Sequence, residues 1–128
     1  MSQGKLTGAQ QAQLAYLDAL RLKFDRIHRL VEEVATFQGG ESTVKTLVRL
    51  LDEHRHGAST LLLNPIADTL GMMAMVARRG GGHQMKVRAL REGLAGLKTN
   101  WEGAYRQAST PAQDREDAEE EDYEDLDA

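Results

Sequence analysis

Apolar side chains recur at alternating steps of three and four residues along two long stretches of this 128-residue chain. The first stretch carries Leu17, Leu20, Phe24, Ile27, Val31 and Val34, and the second carries Val87, Leu90, Leu94, Leu97, Trp101 and Ala104. This spacing puts the apolar side chains on one side of an α-helix, where other helices must cover them. No segment alternates polar and apolar residues over the length of a strand, so we predict an all-α fold.

The first two predicted helices are separated by a glycine pair. The first helix runs from about Thr7 or Gly8 to Phe37, and Gln38-Gly39-Gly40 ends it because glycine readily adopts the left-handed conformation found just past a helix. Ser42 is expected to cap the second helix by accepting a hydrogen bond from a free backbone N–H. The inner face of that helix is predicted to hold Val44, Leu47, Val48, Leu51, Ala58, Leu61 and Leu62.

Asn64 and Pro65 mark the start of a third, shorter helix, with Asn64 as N-cap and Pro65 at the first helical position. Its predicted inward residues are Ile66, Leu70, Met73 and Ala77. Glycines 80–82 end it, and a fourth helix is predicted from about Gln84 to Arg106.

Short connections make neighbouring helices antiparallel, so we predict an up-down-up-down four-helix bundle over residues 7–107. Residues 1–6 are expected to form a flexible N-terminus, and residues 108–128 a disordered tail. The first helix is longer than the others. If its N-terminal part overhangs the bundle, residues 9–16 are either solvated or packed against a second copy in a homodimer. We favour burial of the apolar seam within the monomer.

Charge divides the chain into two unlike parts. Residues 114–128 carry ten of the twenty acidic side chains and a single basic one, whereas residues 1–113 hold fifteen basic and ten acidic side chains. Such a dense run of like charges repels itself and buries almost nothing, which predicts disorder. The acidic tail is expected to increase solubility, to fold back on a basic surface, or to compete there with a polyanion.

Composition excludes several classes of function. The chain has no cysteine, so it can form neither disulfides nor thiolate metal sites. It also has no apolar stretch of the roughly 20 residues that span a bilayer, and no signal-peptide core at its N-terminus. We therefore expect a cytoplasmic protein without a membrane, metal or cofactor partner.

The predicted second helix carries the sequence Asp52-Glu53-His54-Arg55-His56-Gly57-Ala58-Ser59-Thr60-Leu61. With the inner-face spacing upstream and the break at Asn64-Pro65 downstream, this stretch resembles the histidine phosphotransfer (HPt) domains. These are four-helix bundles in which an exposed histidine on the second helix accepts a phosphoryl group. The resemblance extends over about residues 14–105 and implies an HPt-like bundle.

The chain departs from the HPt motif at its reactive position. In the alignment that keeps the apolar spacing, Asp52 takes the place of the phosphoacceptor histidine, Arg55 that of the supporting lysine, and His56 that of a glycine. A carboxylate cannot form a phosphoramidate. The resemblance therefore implies a non-enzymatic module that docks a receiver-type domain, or another protein, through residues Arg49, Asp52, Glu53, Arg55 and His56.

Two other functions remain open at this point. An alignment shifted by two residues places His54 at the acceptor position, and one alternative is therefore an active phosphotransfer protein that uses a displaced His54 or His56. These two residues are two apart on a helix and cannot share one face, so His54 takes an inner position and His56 is exposed. The other alternative is a nucleic-acid-associated protein with a polyanion-mimicking tail. Its polyanion-binding residues would be Arg78, Arg79, Lys86, Arg88 and Arg91, although no aromatic side chains are interleaved to stack bases.

Overall fold

The computed structural model describes residues 5–111, and this part of the chain is entirely helical. Its five helices are α1 (Gly8–Arg21), α2 (Phe24–Ala35), α3 (Gly40–Thr60), α4 (Asn64–Arg78) and α5 (His83–Ala108). None of them is both long and apolar enough to cross a membrane. The predicted all-α class is confirmed, but a break divides the expected first helix into α1 and α2.

Helices α2, α3, α4 and α5 surround one apolar core. Helix α3 packs on α2 and α4, and α5 packs on the same two helices, while α1 packs mainly against α5. The residues with no exposed surface in this core include Leu17, Leu20, Ile27, Val31, Leu47, Leu51, Ile66, Leu70, Met73, Leu90 and Leu97. The three- and four-residue spacing therefore identified most of the core correctly.

The break between α1 and α2 is a local tightening of the helix. The N–H of Lys23 donates to the carbonyl of Leu20, three residues earlier, at 2.8 Å. Residues 22 and 23 keep right-handed backbone angles across this break. A turn closed by an i to i−3 bond contains fewer residues than an α-helical turn, which rotates the apolar face of α1 relative to that of α2.

Helix α1 packs within the chain, which agrees with burial in the monomer and not with an N-terminal overhang. Gln10 is 3% exposed, and its side-chain amide donates to the carbonyl of Thr110 at 2.6 Å. Gln13 donates to the carbonyl of Leu61 at 2.9 Å. The hydroxyl group of Tyr16 donates to the carbonyl of His54 at 2.7 Å. These bonds join α1 to the ends of α5 and α3. A homodimer through the first helix stays a prediction.

Two helices end with an apolar residue in the left-handed conformation, which glycine adopts more readily than any other residue. After α2, Phe37 has φ 59°, and the N–H of Gln38 donates to the carbonyl of Glu33 at 2.8 Å. After α3, Leu62 has φ 60°, and the N–H of Leu63 donates to the carbonyl of Ala58 at 2.9 Å. Both patterns are Schellman motifs. The prediction that the glycine pair ends the first helix is wrong, because Phe37 performs this role.

The glycine pair instead starts α3. Gly39, with φ 73°, precedes the helix, and a Cβ atom there would lie 2.1 Å from the hydroxyl oxygen of Thr43. That hydroxyl group donates to the carbonyl of Gln38 at 2.8 Å. Ser42 lies inside the first turn of α3 and does not cap it, contrary to the prediction. Asn64 is likewise the first residue of α4 and not its cap.

The boundary predicted between the bundle and the tail is also shifted. Helix α5 continues to Ala108, which is 1% exposed, because the apolar face of the helix still has core to cover there. The rest of the predicted tail lies outside the described residues from position 112 onward, as do residues 1–4 of the predicted flexible N-terminus.

Replacing Leu62 by glycine should stabilise the protein. Leu62 is 77% exposed, so little buried surface is lost, and the steric cost of the left-handed conformation for a side chain is removed. Because glycine also gives the unfolded chain more freedom, we expect a net gain of about 0.5–1 kcal/mol in the free energy of unfolding. Urea denaturation with Leu62→Gly measures it.

The matched control for this substitution is Leu22→Gly. Leu22 is 80% exposed and has a right-handed backbone, so glycine brings only its entropic cost and should destabilise by about 0.5–1 kcal/mol. If both variants were destabilised equally, the left-handed strain at Leu62 would be refuted.

Candidate functional site

An open groove of about 1100 Å³ runs along the outer side of α3 toward the end of α4 and the start of α5. Its floor is apolar and includes Val44 and Val48 of α3 and Ala77 of α4. Its rim carries the charged residues Glu41, Lys45, Arg49, Asp52, Glu53, Arg78, Arg79 and Lys86, together with His56. The groove therefore combines an apolar surface with a dense polar border.

Helix α3 supplies one side of the groove because its polar residues repeat at helical spacing. Glu41, Lys45, Arg49, Glu53 and His56 follow one another at steps of four, four, four and three residues. Residues at these steps lie on one face of a helix. The opposite face turns Leu47 and Leu51 into the core, where neither is exposed. One amphipathic helix thus contributes both to the core and to the groove.

The other side of the groove is basic. Arg78 is the last residue of α4, Arg79 and Gly80 follow it, and Lys86 lies in the first turn of α5. All the predicted protein-docking residues of α3 except Arg55, and part of the predicted polyanion-binding set, therefore border the same groove. Sequence reasoning had treated them as two rival sites, since the residues are 22 to 37 positions apart in the chain.

Asp52 connects the two sides. Its carboxylate accepts a hydrogen bond from the guanidinium group of Arg78 and lies 3.6 Å from that of Arg55. The side chain of Arg55 also passes over α4, and a Cβ atom at Gly71 would lie 3.0 Å from its Cδ. Arg55 therefore contacts Asp52 from outside the groove lining. Asp52, which takes the phosphoacceptor position in the HPt alignment, is therefore engaged in ion pairs with Arg55 and Arg78.

His54 lies on a different face of α3, against α1. It is half-buried, and its ring contacts the ring of Tyr16 edge-on, with centroids 6.4 Å apart. Gly57 makes this contact possible, because a Cβ atom there would lie 2.9 Å from the ring of Tyr16. Burial lowers the pKa of His54, and the charge of Lys23 lowers it further, whereas Glu53 acts in the opposite direction. His56 is exposed and borders the groove, as predicted.

Two members of the predicted basic set lie away from the groove. Arg91 donates two hydrogen bonds, of 2.9 and 2.6 Å, to the carboxylate of Glu32 on α2. These bonds lower the pKa of Glu32 and raise that of Arg91. Arg88 lies 3.5 Å from the carboxylate of Glu92, one turn further along α5. Residues 78–91 therefore do not form one continuous basic surface.

Sequence reasoning missed six residues of the groove, namely Glu41, Val44, Lys45, Val48, Ala77 and Gly80. Glu41 and Lys45 could have been found from the sequence, because they precede Arg49 at steps of four residues and so share its helix face. Val44, Val48 and Ala77 had been assigned to the core. Their partial or complete burial fits that assignment, but only the relative placement of α3 and α4 shows that a groove opens above them.

No family model, no curated protein and no solved structure matches the chain. Within residues 5–111, no three histidine, aspartate or glutamate side chains are grouped closely enough to hold a metal ion.

We predict that His54 makes the stability of the protein sensitive to acid. Its pKa in the folded chain lies below the ordinary value of 6.5, so the unfolded chain binds the proton more tightly. The free energy of unfolding should therefore fall as the pH decreases through 6.5 and level off below the pKa of the folded state. Urea titrations between pH 5 and 8 should show a flatter curve for His54→Gln. The exposed residue gives the control His56→Gln, and identical curves for both variants would contradict the prediction.

Proposed function

We propose that this chain is a non-catalytic, HPt-like protein-interaction module of bacterial-type signalling, which docks a protein partner through the groove on α3. The α1–α2 unit, α3, α4 and α5 would correspond to the four helices of an up-down-up-down bundle. A receiver-type domain is the partner that the resemblance implies. The observation that carries the proposal is the groove itself, in which an apolar floor is surrounded by charges of both signs.

The charge pattern favours a protein partner over a nucleic acid. Three carboxylates, those of Glu41, Asp52 and Glu53, border the groove beside its cations and interrupt the continuous positive surface that a long phosphate backbone would follow. Protein surfaces present both signs of charge around apolar side chains, so they can complement such a border. The pairing of Arg88 and Arg91 with carboxylates further weakens the polyanion alternative.

The histidine environments favour docking over phosphotransfer. His54 contacts Tyr16 and is half-buried, so its ring lies away from the groove that a partner would enter. His56 is accessible, but the carboxylates of Asp52 and Glu53 border the same groove and disfavour a phosphoryl group there. His56 is therefore the phosphoacceptor to test first under the phosphotransfer alternative.

Replacing both Glu53 and His56 by alanine should weaken partner binding while the fold is retained. Both side chains are exposed, so we expect each substitution to change the free energy of unfolding by no more than about 0.5 kcal/mol. Capture of the partner from a native lysate by the immobilised chain measures binding. The double variant Asp25→Ala, His28→Ala is the matched control, since it removes an exposed acid and histidine at the same spacing on α2.

Equal capture by the two double variants would refute docking through α3. Substituting Arg78, Arg79 and Lys86 cannot decide between a protein and a nucleic acid, because these residues border the same groove. Nuclease treatment and the salt dependence of binding distinguish a protein partner from a nucleic acid. A nucleic-acid partner would be lost on digestion, and its affinity would fall steeply with salt, by about 0.7–0.9 decades per decade of salt for each phosphate neutralised.

Exposure to phosphorylated receiver domains, or to a small phosphoryl donor, should leave the chain without an acid-labile and base-stable label. The reason is that Asp52 stands at the acceptor position and is held by Arg78. Mass spectrometry at neutral pH, with a known HPt domain as the positive control, provides the measurement. A label on His56 that is lost in His56→Gln would establish phosphotransfer instead.

A further inference from the structure

Four cations on the border of the groove have no ion-pair partner among residues 5–111. These are Lys45, Arg49, Arg79 and Lys86. Arg78, by contrast, is held by Asp52. Glu41 and Glu53 on the same border are also outside these ion pairs, so the unpaired groups leave a net excess of positive charge beside the apolar floor. The best occupant would combine carboxylates with a few apolar side chains.

The chain itself contains a segment of this chemistry. Residues 121–127 read Glu-Asp-Tyr-Glu-Asp-Leu-Asp, with five carboxylates around Tyr123 and Leu126. No stretch outside residues 114–128 combines acidic and apolar residues at this density. The two apolar side chains match the floor made by Val44, Val48 and Ala77, and the carboxylates match the free cations.

The segment is long enough to reach the groove of its own chain. The carbonyl of Thr110 is held by Gln10 at the C-terminal end of α5, whereas Lys86 lies near its N-terminal end. The axial distance from Lys86 to Ala108 is about 33 Å at 1.5 Å per residue. The chain from Pro111 to Tyr123 advances by twelve residues. It spans up to about 40 Å when extended, so Tyr123 can reach the floor.

We propose that residues 121–127 bind in the groove of the same chain and compete there with the protein partner. The carboxylates would pair with Lys45, Arg49, Arg79 and Lys86, and Tyr123 and Leu126 would cover the apolar floor. The competition, but not the binding of the segment, rests on the proposed docking function. A tethered segment has an effective concentration on the order of 1 mM, so an intrinsic dissociation constant of about 0.1–1 mM would weaken partner binding about two- to tenfold.

A spin label at the end of the full-length chain tests the proposal directly. Because the sequence has no cysteine, Ala128→Cys gives a single labelling site. In the ¹⁵N spectrum we expect the label to broaden the amide signals of residues 44–53 and 77–80. Raising the salt concentration to about 1 M should remove the broadening, since exposed charges are then screened beyond about 3 Å.

The basic face of α2, with the exposed residues Arg26 and Arg29, is the internal control. Equal broadening around these arginines would indicate unspecific attraction and would overturn the proposal, as would broadening confined to residues 5–13 and 107–111. The substitutions Lys45→Gln and Arg49→Gln should abolish the broadening at the groove. Arg26→Gln and Arg29→Gln remove the same amount of charge from α2 and should leave the broadening at the groove unchanged.

Two further samples define the mode of binding. Tyr123→Ser with Leu126→Ser keeps every charge, and it should reduce the broadening severalfold; an unchanged spectrum would overturn the role of the apolar contacts. In a mixture of labelled ¹⁴N chains and unlabelled ¹⁵N chains we expect no broadening. Broadening in that mixture would mean that the segment of a second copy is the occupant.

These spectra need no partner, so they separate this proposal from the docking function. If Glu53→Ala, His56→Ala reduces partner capture but the spin-labelled chain shows no broadening at the groove, only the binding of the segment would be overturned. If the amide signals at the groove broaden but Glu53→Ala, His56→Ala does not reduce partner capture, only the docking function would be overturned. When both hold, weakening the binding of the segment by Tyr123→Ser and Leu126→Ser should tighten partner binding by up to about two- to tenfold.

Discussion

The attachment of α1 to the ends of α3 and α5 determines which surface of the molecule remains accessible. The indole N–H of Trp101 donates to the carbonyl of Leu17 at 2.7 Å, close to the break between α1 and α2. The same ring stacks on Tyr105 and packs edge-on against Phe24. Burying this polar group without a partner would cost about 1–3 kcal/mol, so the bond fixes the position of α1 at the break. Beyond it, Tyr16 covers the face of α3 that carries His54 and Gly57.

This arrangement gives α3 three different faces. Leu47 and Leu51 face the core, His54 and Gly57 face α1, and the polar strip from Glu41 to His56 faces the groove. Gly57 makes room for the ring of Tyr16, since a Cβ atom there would lie 2.9 Å from that ring. This glycine therefore has a packing role between α1 and α3.

The groove also unites two hypotheses that began as alternatives. Cations at the end of α4 and the start of α5 meet the polar residues of α3 at this groove, and Arg78 donates a hydrogen bond to Asp52. For this reason we propose the same surface both for a protein partner and for the acidic segment of the same chain.

Two exposed residues, Phe37 and Leu62, hold the left-handed conformation at the ends of α2 and α3. Phe37 stacks on His83 at 3.9 Å, and His83 donates to the carbonyl of Ala35, so this contact joins the end of α2 to the start of α5.

The sequence by itself determined the helical class, most of the core and the exposed position of His56, because burial follows a helical period that is written in the order of apolar residues. It did not determine the break at Leu22 and Lys23, since that turn keeps both the apolar spacing and right-handed backbone angles. It also did not determine the groove, because Val44 and Ala77 look like core residues until the separation of α3 and α4 is known. Local spacing states which side of a helix is apolar, whereas only packing between helices decides what that side contacts and where two polar faces meet.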